Sequence, residues 1–319
     1  MRFRKAHQCK LRYCTKSSPQ IKLLAMATRR FPFVQLDVFA AKALEGNPLA
    51  VFTDARGLTD AEMQAIAREM NLSETTFVLP RAAEVERVQG VRVRIFTVAE
   101  ELPFAGHPTL GTAAVLYRSG GAPEVRLELG VGIVPVSFRD EAGAVFGEMR
   151  QRDPELLAIH DGAAVAQAAG LPLDALDAGL PVQTVSTGLP FTIVPLRDLK
   201  AVQSLHLDWP RAAEYQKRSQ GGFFYFVSRQ TVDAAARLHA RMIFYGGDDP
   251  ATGSAAGCCA AWAVAHHVVA ADETALIEQG LECGRPSRIF VRAGREGDRI
   301  INVRVGGHAV EVARGELFL

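Results

Sequence analysis

Two glycine-rich segments, far apart in the chain, combine residue types that bind and transform small anions. Gly106 is followed by His107, and Gly253 is followed by Ser254. Each glycine opens a run of small and apolar residues without Asp, Glu, Lys or Arg, which predicts a buried helix that begins at a tight turn. The free N–H groups and partial positive charge of such a helix start attract an anion. Two helix starts that face each other across a cleft would hold one carboxylate.

Several titratable side chains accompany these helices. Glu100 and Glu101 precede the first helix and His107 opens it, Asp248 and Asp249 precede the second, and Glu74 lies in the string Asn71-Leu-Ser-Glu-Thr-Thr-Phe77. A carboxyl group in an enclosed site can accept a proton from one carbon atom and return it to another. Purely structural interpretations are also available. Asp249-Pro250 is typical of a turn that caps a helix. Glu74 could be a solvated acid where a helix joins a strand, and His107 could be a loop histidine with satisfied hydrogen bonds. Taken singly, these interpretations compete with catalysis.

The chain also repeats itself. Val93-Arg94-Ile95-Phe96 leads, ten residues after the phenylalanine, to Gly106. Arg241-Met242-Ile243-Phe244 leads, nine residues after its phenylalanine, to Gly253, 147 residues beyond the first glycine. This repeat predicts two similar halves, each with a strand, a tight turn and a buried helix that begins at the turn.

Hydrophobic alternation predicts many short strands and fewer helices. Thr59 and Glu62 form a capping box that starts an amphipathic helix, which Asn71 ends. Strands are predicted at 33–39, 47–53, 76–79, 91–96, 124–129, 131–138, 144–149, 182–186, 191–196, 222–228, 239–245, 288–292, 300–305 and 309–313, and the other helices at 107–118, 161–169, 208–217, 254–269 and 273–279. This is the pattern of an α+β fold rich in antiparallel strands. We expect the first half to cover residues 31–148 with a C-terminal strand at about 308–319, and the second half to cover 149–307.

Charge is distributed unevenly along the chain of 319 residues. Residues 1–30 carry nine Lys or Arg and no Asp or Glu, whereas the rest has a net charge of −8. An acidic body offers no basic patch to a nucleic acid, so we expect none as a partner. We expect the basic leader to be a disordered tail or an over-long gene start, with Met26 as the alternative first residue. An organelle-targeting peptide is the other interpretation.

The cysteines and the longest charge-free segment predict a reduced, cytoplasmic protein without a membrane span. The five cysteines show no C-x-x-C spacing, and they are Cys9, Cys14, Cys258, Cys259 and Cys283. Residues 250–271 lack Asp, Glu, Lys and Arg but are rich in Ala and Gly, so they predict a buried helix of small residues. His266 and His267 lack the spacing of metal ligands, and we expect no metal site.

Longer strings surround the candidate residues and extend along the chain. They are Phe33-Val-Gln-Leu-Asp-Val-Phe39, Gly46-Asn-Pro-Leu-Ala-Val-Phe52, Glu69-Met-Asn-Leu-Ser-Glu-Thr-Thr-Phe77, Arg94-Ile-Phe-Thr97, Leu102-Pro-Phe-Ala-Gly-His-Pro-Thr-Leu-Gly-Thr112, Ser186-Thr-Gly-Leu-Pro190, Asp249-Pro-Ala-Thr-Gly-Ser-Ala255, Val305-Gly-Gly-His-Ala-Val310 and Gly315-Glu-Leu317. Together they resemble the PhzF family of phenazine biosynthesis-like isomerases over residues 31–319. The resemblance implies a fold similar to diaminopimelate epimerase, in which each pseudo-symmetric half wraps a curled antiparallel sheet around a central helix. It also implies an active site between the halves, no cofactor, and a homodimer.

The resemblance implies a role for each candidate residue. Glu74 matches the catalytic acid/base of the family, and His107 and Asp249 match residues that bind and orient the substrate and assist proton movement. The residues that match substrate-binding positions are Gly106, Gly253 and Ser254. The expected activity is a cofactor-independent shift of a proton between two carbon atoms of a small carboxylic acid.

Two other functions remain open. A racemase or epimerase of the same fold places a cysteine directly before each glycine, but Ala105 and Thr252 occupy these positions and neither can act as a thiol base. A non-catalytic protein that binds a small acid, or an interaction scaffold, could keep the same cleft, although intact Glu74, His107 and Asp249 argue against it. Because family members isomerise a dihydro-hydroxyanthranilate, the resemblance implies a small cyclic or unsaturated amino or hydroxy acid as substrate.

Overall fold

The structure, a computed structural model, covers the body of the chain. It describes residues 29–120, 122–141, 144–219, 221–244 and 247–319. The predicted leader, with Cys9, Cys14 and Met26, therefore lies outside the described residues except at its end. At that end, Arg29 exchanges two backbone hydrogen bonds with Leu319 and Arg30 begins the first strand, so these two residues belong to the folded body. The nature of the leader stays a prediction.

Strands dominate the described residues, and helices fill or connect the sheet. In chain order the strands are β1 (Arg30–Val38), β2 (Asn47–Phe52), β3 (Glu74–Leu79), β4 (Val91–Phe96), β5 (Glu101–Leu102), β6 (Glu124–Leu129), β7 (Gly132–Glu141), β8 (Ala144–Arg150), β9 (Glu155–Ile159), β10 (Gln183–Ser186), β11 (Pro190–Pro195), β12 (Phe223–Ser228), β13 (Leu238–Phe244), β14 (Gly247–Asp248), β15 (Ala275–Gln279), β16 (Ser287–Glu296) and β17 (Arg299–Phe318). The α-helices are α1 (Asp60–Met70), α2 (Ala83–Gln89), α3 (Gly106–Arg118), α4 (Gly162–Ala169), α5 (Leu199–Gln203), α6 (Trp209–Ser219) and α7 (Gly253–Ala265).

The strand order is the same in the two halves. In the first half it is β17-β1-β2-β3-β4-β6-β7-β8, and β8 pairs again with β17, so the sheet closes on itself. In the second half it is β9-β10-β11-β12-β13-β15-β16-β17. The parallel pairs occupy equivalent places, β2 with β3 and β4 with β6 in one half, β11 with β12 and β13 with β15 in the other. The predicted α+β fold with two pseudo-symmetric halves is confirmed.

One long strand, β17, belongs to both halves. Its residues 299–306 pair with β16 and its residues 309–318 pair with β1. The strands predicted at 300–305 and 309–313 are therefore one strand, and the predicted boundary between residues 307 and 308 falls inside it. The other boundary, between residues 148 and 149, falls inside β8. Because hydrogen-bonded strands run across both positions, the division into two domains stays a prediction.

A helix lies inside each half of the sheet. In α3 every residue from Gly106 to Val115 is buried, and in α7 every residue from Ala255 to Val264 is buried. Such helices carry small or apolar residues on all sides, so the sheet can surround them. In contrast, α1 is amphipathic, with the predicted capping box of Thr59 and Glu62 formed and Asn71 left-handed at its end. Within the described ranges, no helix combines the length and apolarity that a membrane span requires.

The segment predicted as a helix at 273–279 is strand β15. Ala275, Leu276 and Ile277 form a short apolar run, and the periodicity of such a run does not distinguish a buried strand from a buried helix. Pairing with β13 on one side and β16 on the other makes it a strand. The helix predicted at 254–269 ends at Ala265, and β5, β9, β14, α2 and α5 were not predicted. The other elements are confirmed to within a few residues.

The two central helices meet at their first residues. A Cβ atom built on Gly106 would lie 2.8 Å from the backbone nitrogen of Ser254 and 3.0 Å from the Cα atom of Gly253. A Cβ atom on Gly253 would lie 3.0 Å from the ring of Phe39. Only glycine, which has no Cβ atom, permits this approach of two backbones.

We expect Gly106→Ala to lower the free energy of unfolding by about 1–3 kcal/mol, the usual cost of overpacking. The atoms that the new methyl group meets belong to the backbone of α7, so they cannot rotate away as a side chain would. Urea unfolding measures the change. Gly247→Ala is the matched control, because an added Cβ atom there meets nothing closer than 3.9 Å. Equal stability of the two variants would contradict the close contact of the helix starts.

Candidate active site

Glu74 enters the site from the first residue of β3. After the left-handed Asn71 ends α1, the chain turns and β3 begins beside Leu49 of β2. The carboxyl group of Glu74 is largely buried, and its Oε2 atom has no hydrogen-bond partner. Burial and the nearby negative charge of Asp249 raise the pKa of Glu74 to about 8. The Glu74 side chain is therefore protonated at neutral pH.

His107 faces this carboxyl group from the first turn of α3. Its Nε2 atom lies 3.4 Å from Oε2 of Glu74, and it too is buried without a hydrogen-bond partner. Burial lowers the pKa of His107 to about 3, because an imidazolium ion would lose its hydration here. The two side chains are therefore neutral neighbours at pH 7 and not an ion pair.

Asp249 reaches the same place from the second half, directly after β14. Its Oδ1 atom accepts a hydrogen bond of 2.8 Å from Nδ2 of Asn47, and its Oδ2 atom accepts one of 2.5 Å from the hydroxyl group of Thr252. Burial raises the pKa of Asp249 to about 6, although these two hydrogen bonds act in the opposite direction. Asp249 is therefore the group that carries the negative charge at neutral pH.

The helix starts supply backbone donors. Neither Ala105, before α3, nor Thr252, before α7, caps its helix with a side-chain hydrogen bond. The first N–H groups of both helices are thus available to an anion. Gly106, Gly253 and Ser254, the predicted substrate-binding residues, lie together at this contact of the two helices.

The structure brings together all six residues for which the resemblance implies a role, and it adds others. Asn47 and Thr252 donate hydrogen bonds to Asp249. The Oδ1 atom of Asn47 is buried without a hydrogen-bond partner, as are Oε2 of Glu74 and Nε2 of His107. Asn47 lies in the string Gly46-Asn-Pro-Leu-Ala-Val-Phe52, but this string does not indicate which residue the side-chain amide of Asn47 contacts. Its partner is 202 positions away in the chain, so only the tertiary structure identifies it.

Two of the cysteines lie within the central helix of the second half. Cys258 and Cys259 are buried inside α7, and burial raises the pKa of the Cys258 thiol to about 11 and that of Cys259 still further. Neither thiol is ionised near neutral pH, as a thiol base would have to be. Among the residues that the structure describes, no group of three His, Cys, Asp or Glu side chains is arranged to hold a metal ion.

Comparison with known proteins identifies the family. The profile described as phenazine biosynthesis-like protein matches residues 36–315. An uncharacterized isomerase of Mesorhizobium japonicum is 41% identical over 308 residues, which cover 92% of this chain and 100% of the relative. The trans-2,3-dihydro-3-hydroxyanthranilate isomerase of Pseudomonas fluorescens is 36% identical over 292 residues, which cover 90% and 99%. A crystal structure of a PhzF-family phenazine biosynthesis protein from Bacillus anthracis has a TM-score of 0.82 at 27% identity and covers 91% and 100%. This chain therefore belongs to the family of phenazine biosynthesis-like proteins, as an enzyme of the isomerase class.

Proposed function

We propose that this isomerase moves a proton between two carbon atoms of a small carboxylic acid without a cofactor, and that Glu74 carries the proton. The observation that supports this most strongly is the buried, unpaired Oε2 atom of Glu74 beside the neutral His107. The carboxyl group makes no hydrogen bond with the protein through its Oε2 atom. It is therefore available to a substrate, and its pKa of about 8 suits general acid–base catalysis near neutral pH.

The arrangement supports a closed cycle at one carboxyl group. The substrate carboxylate is held by the N–H groups at the starts of α3 and α7. Glu74 donates its proton to one carbon atom, a proton leaves a second carbon atom for the Glu74 carboxylate, and the double bond moves between them. Nothing is oxidised or reduced, and Glu74 returns to its protonated state. Asp249, ionised beside it, stabilises positive charge that develops on the substrate, and His107 orients the reacting part.

The substrate we propose is a small unsaturated amino or hydroxy acid with one carboxylate. Support comes from the relative in Pseudomonas fluorescens, whose name specifies trans-2,3-dihydro-3-hydroxyanthranilate as the compound that it isomerises. A two-thiol racemase mechanism has less support, because Ala105 and Thr252 precede the two glycines and the thiols of Cys258 and Cys259 are buried. A homodimer and a cytoplasmic location, without membrane or nucleic-acid partners, stay predictions.

We expect Glu74→Gln to abolish isomerisation while the protein remains folded, because glutamine keeps the shape of the side chain but cannot donate and recover a proton. Removing a general acid or base typically lowers the rate by about 10²–10⁴-fold. Proton NMR in D₂O with trans-2,3-dihydro-3-hydroxyanthranilate detects double-bond migration and deuterium at carbon.

Glu100→Gln, which changes an exposed carboxylate, is the matched control and should retain full activity. Activity in Glu74→Gln would remove Glu74 from the proposed role. Ligand-induced shifts without turnover in the unmodified protein would favour a non-catalytic binding protein, and a panel of small amino and hydroxy acids extends the test to other substrates.

The pH dependence of kcat/KM should be bell-shaped, with limbs near pH 6 and pH 8 that report the free enzyme. As the pH rises past about 8, Glu74 loses the proton that it must donate. As the pH falls past about 6, Asp249 becomes protonated and neutral. Activity that stays constant from pH 5 to pH 9 would contradict this assignment of the two carboxyl groups.

A further inference from the structure

The hydrogen bonds that hold Asp249 are directed by a glutamine from another strand. Gln279, the last residue of β15, is fully buried. Its Nε2 atom donates to the backbone oxygen of Asp249 at 2.8 Å and to the hydroxyl oxygen of Thr252 at 2.9 Å. Its Oε1 atom accepts from the backbone nitrogen of Thr252 at 3.2 Å and from the hydroxyl group of Tyr225 at 2.9 Å.

The backbone partners allow only one orientation of this amide. The carbonyl oxygen of Asp249 can only accept a hydrogen bond, and the backbone N–H group of Thr252 can only donate one. The nitrogen of Gln279 must therefore face Asp249, and its oxygen must face the nitrogen of Thr252. The same nitrogen then donates to the hydroxyl oxygen of Thr252, so the hydroxyl hydrogen is left to point at Oδ2 of Asp249.

Asn47 directs the other oxygen of Asp249 in the same way. Its Nδ2 atom donates to the backbone oxygen of Ala251 at 3.0 Å, a group that can only accept, and also to Oδ1 of Asp249. Both oxygens of Asp249 therefore accept hydrogen bonds from fixed donors, which favours the ionised form of this carboxyl group. Glu74 has no such donors, because its Oε2 atom is unpaired.

We propose that Gln279 is a positioning residue: through Thr252 it presents a fixed donor to Asp249 and so keeps the single proton of the site on Glu74. This inference rests on the proposed function, in which Glu74 carries the proton and Asp249 stays ionised. Gln279 acts through Thr252 and is not itself a catalytic residue.

Among the described residues, the other titratable and charged groups around Asp249 donate no hydrogen bond to its carboxylate. They are Glu74 with His107 from the first half, Asp248 with its partner Arg241, Tyr225 on β12 and Cys283 after β15. Arg241 pairs with Asp248 and not with Asp249. Burial raises the pKa of both Tyr225 and Cys283, so these groups are neutral near pH 7. Glu278, the neighbour of Gln279, bonds to His239 instead. Glu74 and Asp249 are therefore the two groups of the site that can carry the proton near pH 7.

Infrared spectroscopy of the free protein locates this proton, because a protonated carboxyl group has a C=O stretch that a carboxylate lacks. Aspartate labelled with ¹³C at the side-chain carboxyl separates the band of Asp249 from that of Glu74, and Glu74→Gln assigns the latter. At pH 7 the unmodified protein should show the Glu74 band alone. Gln279→Met and Thr252→Val should each raise the titration midpoint of Asp249 by about one to two pH units, the effect of losing a hydrogen bond to a charged group.

Two further variants separate positioning from folding. Thr252→Ser retains the hydroxyl group and should restore the titration of the unmodified protein. Gln183→Met removes another buried amide, which bonds to the backbone oxygen of Leu157 and to His266, and it should leave the Asp249 midpoint unchanged. If Gln279→Met and Thr252→Val lower stability but leave that midpoint unchanged, Gln279 has only a structural role and the proposal is overturned.

Turnover measured in parallel keeps the two proposals distinguishable. The infrared result needs no substrate, so a protein that does not isomerise trans-2,3-dihydro-3-hydroxyanthranilate would contradict that proposed substrate without affecting the location of the proton. Where turnover occurs, Gln279→Met should shift the acidic limb of kcat/KM upward by the same one to two pH units, as Asp249 becomes protonated more easily.

Discussion

The site depends on the contact between two helix starts that are buried in the interior. Backbone N–H groups that are removed from water without a partner are costly. Such a contact therefore requires packing that holds both helices, and water or an anion that accepts from the free N–H groups. The sheet that surrounds α3 and α7 supplies the packing, and Gly106 and Gly253 supply the space. The result is a pair of helix starts whose backbone N–H groups can bind an anion. None of the site residues described above is a lysine or an arginine.

The protonation states follow from the same enclosure. Burial penalises charge on any carboxyl or imidazole group, and hydrogen-bond donors relieve that penalty only where the protein provides them. Asp249 receives donors from Asn47 and Thr252, whereas Glu74 and His107 receive none. Two carboxyl groups in one pocket therefore take different states. Such a separation of pKa values is how an enzyme keeps one acid protonated beside another that is ionised.

The scaffold is nearly symmetric, but the chemistry is not. Equivalent strands and helices repeat in the two halves, and each half contributes one helix start. The side chains at these places differ: His107 follows one glycine and Ser254 the other. Glu74 and Asn47 come from the first half, Asp249 from the second. In the proposed function, the repeated framework binds the substrate carboxylate, and the side chains that differ between the halves bind the rest of the molecule.

The resemblance of longer strings to the PhzF family selected Glu74, His107 and Asp249 among the titratable residues. Local sequence patterns determined the two helices of small residues, the capping box of α1 and most strands. These follow from periodicity, turn chemistry and residue type, which act over a few neighbours. Tertiary structure decided the rest. It made residues 275–279 a strand through pairing on both sides, and it made residues 299–318 one strand shared by both halves. It also directed the hydrogen bonds of Asn47, Thr252 and Gln279 to Asp249, because a donor and an acceptor from distant segments acquire a direction only when the fold places them in contact.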